Sequence, residues 1–347
     1  MAEIEYPRTD EITDNQKQKI DEVLTKCADI KWMYPDYFSD FNILRWLMGH
    51  GYNVDSVTRK IDHAVKVLHN SGISKMSVMA PEEINAYVKT MSPMVEYFAG
   101  GVMGQDREGN VIYVHALGRM HPKTIIRGGP TSRLYKVCIA QMGLVSKLIR
   151  EAEVKINKKL GIKVIIDMDG FSMDHLYIPS AKVYVTLATM LQVEFLGDNW
   201  REIICNDFGS ENVYPIWGGT KQVPTKPENY LGMGGEFPED SWYDAKSNPA
   251  EEKLTSLNVN ARSKEIVRVS GTKGRQFKWI FRVSSGDIDF SIEYDERLVH
   301  PVFRCSTEFH PEIDTFMCDF DGIYTFVFSN EHGLIWGKGI KYLIELI

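Results

Sequence analysis

Hydrophobic positions along this chain pass through three regimes: helical spacing, then continuous apolar runs, then strict alternation. From Asp14 to about Cys27, Ile20, Val23 and Leu24 form a thin apolar stripe on a polar helix. Phe41, Leu44, Leu47 and Met48 share one face of the next helix, which Gly49 and Gly51 stop. Asn53 or Asp55 can cap a third, in which Val54, Val57, Ile61, Val65 and Leu68 recur at helical spacing. Residues 1–75 therefore read as a small helical bundle without chemistry. Arg45, the one basic residue inside the apolar pattern of the second helix, reads as half of a surface ion pair.

The character changes at Gly100. Val102-Met-Gly, Asp106-Arg-Glu-Gly-Asn and Val111-Ile-Tyr-Val-His-Ala predict strand, turn and strand, with Gly109 supplying the positive φ of a tight turn. A long amphipathic helix follows from a cap at Thr131-Ser132 to about Lys159, through Leu134, Val137, Cys138, Gln141, Leu144, Val145 and Leu148. Then comes Gly161–Gly170. Of the five residues after Gly161 only Lys163 is polar, and Val164, Ile165 and Ile166 are β-branched in succession. Such a run predicts a strand apolar on both faces in the middle of a sheet, in a βαβ-type layout. Pro179 opens another helix through Val183, Leu187, Met190 and Leu191. Val193–Gly197 reads as a strand, Trp200–Cys205 as a short helix, and Trp217-Gly-Gly-Thr closes the unit.

Thr220–Glu252 is rich in Pro, Gly and acidic residues and reads as a linker. Beyond it the period is two. Phe277, Trp279, Phe281 and Val283 form one such set, and Ile288, Phe290, Ile292 and Tyr294 another. Tyr324, Phe326 and Phe328 repeat it, as do Ile340, Tyr342, Ile344 and Leu346. Several half-buried strands predict an antiparallel β-sandwich of about ninety residues. The chain thus divides into a helical region at 1–75, an α/β domain at 76–245 and an all-β sandwich at 253–347.

Composition narrows the class. The 347 residues are 44% hydrophobic and 25% charged, as in soluble globular proteins. A net charge of −7 argues against nucleic acid as a partner. The acidic start, Met1-Ala-Glu-Ile-Glu-Tyr-Pro, lacks the apolar core of a signal peptide, and no window approaches about eighteen apolar residues. Five scattered cysteines without Cys-X-X-Cys spacing suit reduced cytosolic thiols, packed as small hydrophobes rather than bound to metal.

Asp167-Met-Asp169-Gly, closing the apolar run, resembles the nucleophile strand of haloacid-dehalogenase-type phosphatases. That chemistry also needs a hydroxyl after Gly170, where Phe171 stands. It needs later carboxylates to hold Mg²⁺ as well, and Glu236, Glu239 and Asp240 fall in the linker. A Mg-dependent phosphatase is thus the least favoured alternative, and Asp167 and Asp169 read better as caps of the loop. Gly-X-Gly-X-X-Gly, Gly-X-Ser-X-Gly, Walker and His-Glu-X-X-His patterns are all missing from the sequence. His115 reads as a packed or rim residue. The expectation is a binding protein, with no catalytic residue, cofactor or metal.

Four segments in order carry a resemblance: Gly100-Gly-Val-Met-Gly-Gln-Asp-Arg-Glu-Gly-Asn-Val-Ile-Tyr-Val, Leu160-Gly-Ile-Lys-Val-Ile-Ile-Asp-Met-Asp-Gly-Phe-Ser, Val193-Glu-Phe-Leu-Gly-Asp-Asn-Trp-Arg-Glu and Val213-Tyr-Pro-Ile-Trp-Gly-Gly-Thr. Together they resemble a CRAL-TRIO domain, and the Phe41–Leu68 helices its N-terminal extension. Phe277-Lys-Trp-Ile-Phe, Asp287-Ile-Asp-Phe-Ser-Ile and Gly322-Ile-Tyr-Thr-Phe-Val-Phe-Ser-Asn resemble a GOLD domain. The combination resembles proteins of the supernatant-protein-factor and tocopherol-associated type.

The resemblance implies binding and intermembrane transfer of one hydrophobic lipid (a phospholipid, tocopherol or a squalene-like molecule). It implies a transient membrane surface as partner and a protein partner through the GOLD domain. The expected place is cytoplasmic, peripheral on Golgi or other secretory membranes. The alternative is an adaptor that acts through its GOLD domain without transferring lipid. Ile162, Val164 and Ile166 would belong to the pocket floor, with Leu187, Met190 and Leu191 facing it. The family continues after the helix with a further floor strand and a gate helix, whereas here Gln192 runs straight into Val193. This implies a shortened domain with a pocket open on one side.

Overall fold

The computed structural model describes residues 5–172, 196–244 and 249–347. It divides into two compact units, neither a single stretch of chain. Met1–Pro122 and Ile139–Gly235 make the first; Lys123–Cys138 and Glu236–Ile347 make the second.

The first unit begins with helices α1 (Asp14–Lys26), α2 (Asp40–Gly49), α3 (Val54–Asn70) and α4 (Pro81–Met91). Each of the first three starts where a side chain satisfies a free N–H. Thr13 accepts from Gln16, whose amide returns the bond to Thr13 N. Ser39 accepts from Asn42, and Asn53 from Ser56. The apolar stripes read from the sequence converge in one core of Ile20, Val23, Leu44, Leu47, Val57, Ile61 and Val65. At about 1.5–3 kcal/mol per buried aliphatic side chain, this core rather than helix propensity holds the bundle.

A short helix, α5 (Pro122–Ile125), precedes the 26-residue α6 (Thr131–Ile156), and α7 is Trp200–Phe208. Strands β1 (Gly100–Gln105) and β2 (Val111–Ala116) pair antiparallel, and β3 (Ile162–Asp167) joins β2 in parallel. Asp106 fixes the β1–β2 turn by accepting from the backbone N–H groups of Glu108 and Asn110 at 3.0 and 2.8 Å. Its carboxylate also meets Lys163 of β3 at 2.7 Å. Burial pushes this carboxyl up, but the bonds from Lys163 and Asn110 outweigh it and hold it below its usual range.

Among the described residues β3 has β2 as its one neighbour. α6 packs on the face that carries Val164, while on the other face Lys163 lies over the Phe208 ring and Asp167 accepts from Trp217 Nε1. Two readings from the sequence need correction. Arg45 is no surface ion pair. It reaches Glu153 of α6, which is buried, and donates to Leu160 O at 3.0 Å. Thr220–Glu252 is no linker along its length. Gly232 exchanges two 2.9 Å backbone hydrogen bonds with Gly100, Gly235 N donates to Arg119 O, and Leu231 is buried. Its glycines and prolines shape a packed return rather than a tether. The helix expected from Pro179 and the strand expected at Val193 lie outside the described residues, apart from Leu196 and Gly197, which are not in a strand.

The second unit is a β-sandwich. Strands β5 (Lys264–Gly271), β10 (Gly322–Ser329), β7 (Asp287–Tyr294) and β8 (Arg297–Ser306) form one antiparallel sheet in that order. The other runs β4 (Thr255–Val259), β11 (Lys338–Leu346), β6 (Gln276–Val283) and β9 (Glu312–Met317). The alternation seen in the sequence places Phe277, Trp279, Phe281, Phe290, Tyr324, Phe326 and Phe328 inside. Their rings meet edge to face, with Phe277–Phe326 and Phe281–Phe328 centroids both 5.2 Å apart.

Lys123–Cys138 completes this unit. Tyr135 stacks on Phe303 at 5.3 Å, Thr131 donates to Ser306 O at 2.9 Å, and Lys136 pairs with Asp314. Ser132 donates through both N–H and hydroxyl to the carboxylate of the buried Glu312.

Candidate functional site

The parallel register pairs Val111 with Ile162, Tyr113 with Val164 and His115 with Ile166, so these six share one face of the sheet. α6 covers that face. Val111, Tyr113 and Val164 pack with Leu144, Val145, Leu148 and Ile149, and Tyr113 donates to Gln141 Oε1 at 2.8 Å. No residue of the six is charged at neutral pH, because burial pushes His115 down to about 4. Its ring lies 5.3 Å from Phe98, edge to face.

At the start of β3 the face opens into a cleft of about 370 Å³. Ile162 and the preceding Gly161 line it beside the strand, Ser146 and Ile149 from α6, and Asn42, Arg45, Trp46 and the following His50 from α2 and its end. The volume is at the small end of ligand pockets. Farther along, Met142 sits one turn before Ser146 on the same side of α6. Seven helical residues from Ile149 to Met142 and four strand residues from Ile162 to Ile166 both advance about 10–13 Å. Met142 (38% exposed) and Ile166 (40%) are open apolar side chains on the same helix and strand.

Of the residues expected to hold lipid, the structure brings Ile162, Val164 and Ile166 to this one face. Val164 is packed beneath α6, while Ile162 and Ile166 keep 37% and 40% of their surface open. Leu187, Met190 and Leu191 lie outside the described residues. Trp46, His50, Ser146 and Met142 were not singled out in the sequence. The signal for Met142 and Ser146 was their place one turn apart on the long helix. For Trp46 on α2 and His50 just after it there was none, since the cleft joins segments a hundred residues apart.

Hydrogen bonds brace the Asp167–Gly170 loop. Asp167 Oδ1 accepts from Asp169 N at 3.0 Å and Oδ2 from Trp217 Nε1 at 3.0 Å. A Cβ on Gly118 would sit 1.8 Å from Asp169 O, so only glycine lets the two chain segments touch there. Among the described residues no cluster of three metal-ligating side chains occurs, and no helix is long and apolar enough to cross a membrane. Three of the five cysteines, Cys27, Cys305 and Cys318, are buried.

The sheet and the long helix fall inside one family match. Residues 95–197 match the CRAL/TRIO domain. This family binds small lipophilic ligands, and its members are typically binding or transfer proteins rather than enzymes. Two insect proteins named "Protein real-time" are similar over 185 residues, 52% of this chain. That from Anopheles gambiae is 24% identical and covered over 25% of its length. That from Aedes aegypti is 24% identical and covered over 26%. The match thus spans about a quarter of these relatives. A solved family GH115 4-O-methyl-alpha-glucuronidase aligns with 88% of this chain and 39% of its own, at 7% identity and a TM-score of 0.20, too low to bear on fold or function.

Proposed function

We propose that the chain binds one hydrophobic lipid along the α6–β3 face of its CRAL/TRIO domain and transfers or presents it at membrane surfaces. The lipid is a phospholipid, tocopherol or a squalene-like molecule. The cleft at Ile162, with Met142 and Ile166 exposed on the same helix and strand, carries this reading. Along the strands its wall is uncharged. A dozen methylenes laid there would contribute roughly 10 kcal/mol before entropy losses. In this reading the domain is shortened and its pocket open on one side, with Leu187, Met190 and Leu191 supplying the facing wall. The sandwich is GOLD-like and makes the protein or membrane contact.

Native mass spectrometry of the purified chain, followed by solvent extraction, tests the reading. One equivalent of lipid per chain is expected, and Ile162→Asp combined with Ile166→Asp should lower occupancy at least tenfold. Full occupancy in that double variant would show that lipid sits elsewhere.

A further inference from the structure

The sandwich carries a second apolar surface of a different shape. Leu334, Ile335 and Trp336 are consecutive, and 73%, 76% and 79% of their surfaces are exposed. They form the tip of the loop between β10 and β11. Three adjacent large side chains this open exceed the scattered exposure normal for a soluble surface.

The base of the loop is fixed. Asn330, itself buried, donates from Nδ2 to Trp336 O at 3.0 Å and to Asn260 O at 3.3 Å. Its carbonyl accepts from Gly333 N at 2.9 Å and from Arg262 N at 3.0 Å. The triad is therefore displayed on a braced turn, not on a slack one. Gly333–Gly337 holds no charged residue. Glu331 is turned back at the base, where its carboxylate accepts from Ser329 Oγ at 3.0 Å. His332 pairs with Asp289 and Lys338 with Asp287. Beside the loop, Arg262 and Lys264 are exposed and take part in no ion pair among the described residues.

We propose that this loop is a wedge that inserts Leu334, Ile335 and Trp336 into an anionic lipid surface, with Arg262 and Lys264 meeting the headgroups. The chemistry favours a membrane over a protein groove as occupant. The exposed triad is uncharged, and the exposed Arg262 is tied to the base of the loop by its N–H bond to Asn330 O. The triad also ends in Trp, whose apolar ring and polar N–H suit the boundary between acyl chains and headgroups. The wedge deepens the lipid-carrier reading by naming the surface that would bring cargo to a membrane, and it rests on that reading for its purpose.

The test uses the full chain with vesicles of phosphatidylcholine alone or with phosphatidylserine. Wild type should bind the phosphatidylserine vesicles, and a Leu334→Ser, Ile335→Ser, Trp336→Ser triple variant should bind them at least tenfold more weakly. Unchanged thermal melting would show that the triple variant is folded. Arg262→Glu with Lys264→Glu should abolish the preference for phosphatidylserine. Brominated acyl chains should quench wild-type tryptophan emission, and Trp336→Phe should lose that quenching while still binding. Equal vesicle binding by wild type and triple variant would overturn the proposal. So would a wild type that binds no vesicle while its triad is needed to capture a protein. Cargo is read separately, by native mass spectrometry. An empty chain whose vesicle binding still depends on the triad would remove the carrier reading and leave the wedge standing.

Discussion

Glu312 is enclosed on the sandwich, and burial pushes its carboxyl up to about 7, against the opposing pull of the Ser132 bonds. Because the folded value exceeds the ordinary one near 4.5, the unfolded chain gives up this proton first as pH rises. The stability it contributes is complete below about pH 4.5 and is lost as pH climbs through 7. His300, also buried there, is pushed down to about 4, chiefly by burial. Its contribution runs the other way, present above about pH 6.5 and lost as pH falls toward 4. The two partly cancel in wild type, so the difference between wild type and Glu312→Gln isolates the first. Urea titrations between pH 5 and 8 should show that difference changing by up to about 3 kcal/mol, at 1.36 kcal/mol per unit. A difference flat with pH would refute it. Nothing near Glu312 in the sequence announced this, because Ser132 lies 180 residues away. Asp167 was legible, since an aspartate ending a strand and followed by X-Asp-Gly turns the chain with its own side chain whatever lies around it.

At the scale of elements, Arg45 ties α2 to the C-terminal end of α6 through Glu153, whose carboxylate also accepts from Leu160 N at 2.8 Å. Burial raises the Glu153 carboxyl, with Arg45 foremost among the groups opposing it. Arg45→Ala should strand the carboxylate and cost about 2–3 kcal/mol by chemical denaturation, discounted because Arg45 is partly exposed. Arg45→Ala with Glu153→Gln should recover much of that loss. In the sandwich, Trp279→Ala removes a ring packed on Phe290 and Phe326 and should cost about 3–5 kcal/mol. The strands around Trp279 were plain in the sequence because each is buried on one side only, so parity names the inner face. Parity is silent for β3. Val164, Ile165 and Ile166 are apolar in succession, and only the register with β2 shows that Ile162, Val164 and Ile166 share the face that α6 covers.

For the whole molecule, the helical bundle and the sandwich were readable from periodicity, whereas the division into units was not. Periodicity reports which face of an element is buried, not what buries it. It carried the long helix through as one element, yet the first turns of α6 belong with the sandwich. Isolated Glu252–Ile347 should therefore melt well below the corresponding transition of the full chain. Adding a Lys123–Cys138 peptide should raise its melting temperature, and Ser132→Ala in the peptide should weaken that rescue. No response to the peptide would show that the strands stand alone.

The discontinuous second unit also sets an order of events during synthesis. Ser132 and Lys136 leave the ribosome long before Glu312 and Asp314, the carboxylates they bind. At about 5–20 residues per second, the intervening 180 residues take roughly 9–36 s to make. For that interval the first turns of α6 are finished but have no sheet to rest on, and Tyr135 stands in water without Phe303. The nascent chain thus presents an amphipathic helix end to whatever chaperone waits at the tunnel exit. A ribosome stalled before Glu312 should hold that end open to protease, and one stalled past Ile347 should protect it.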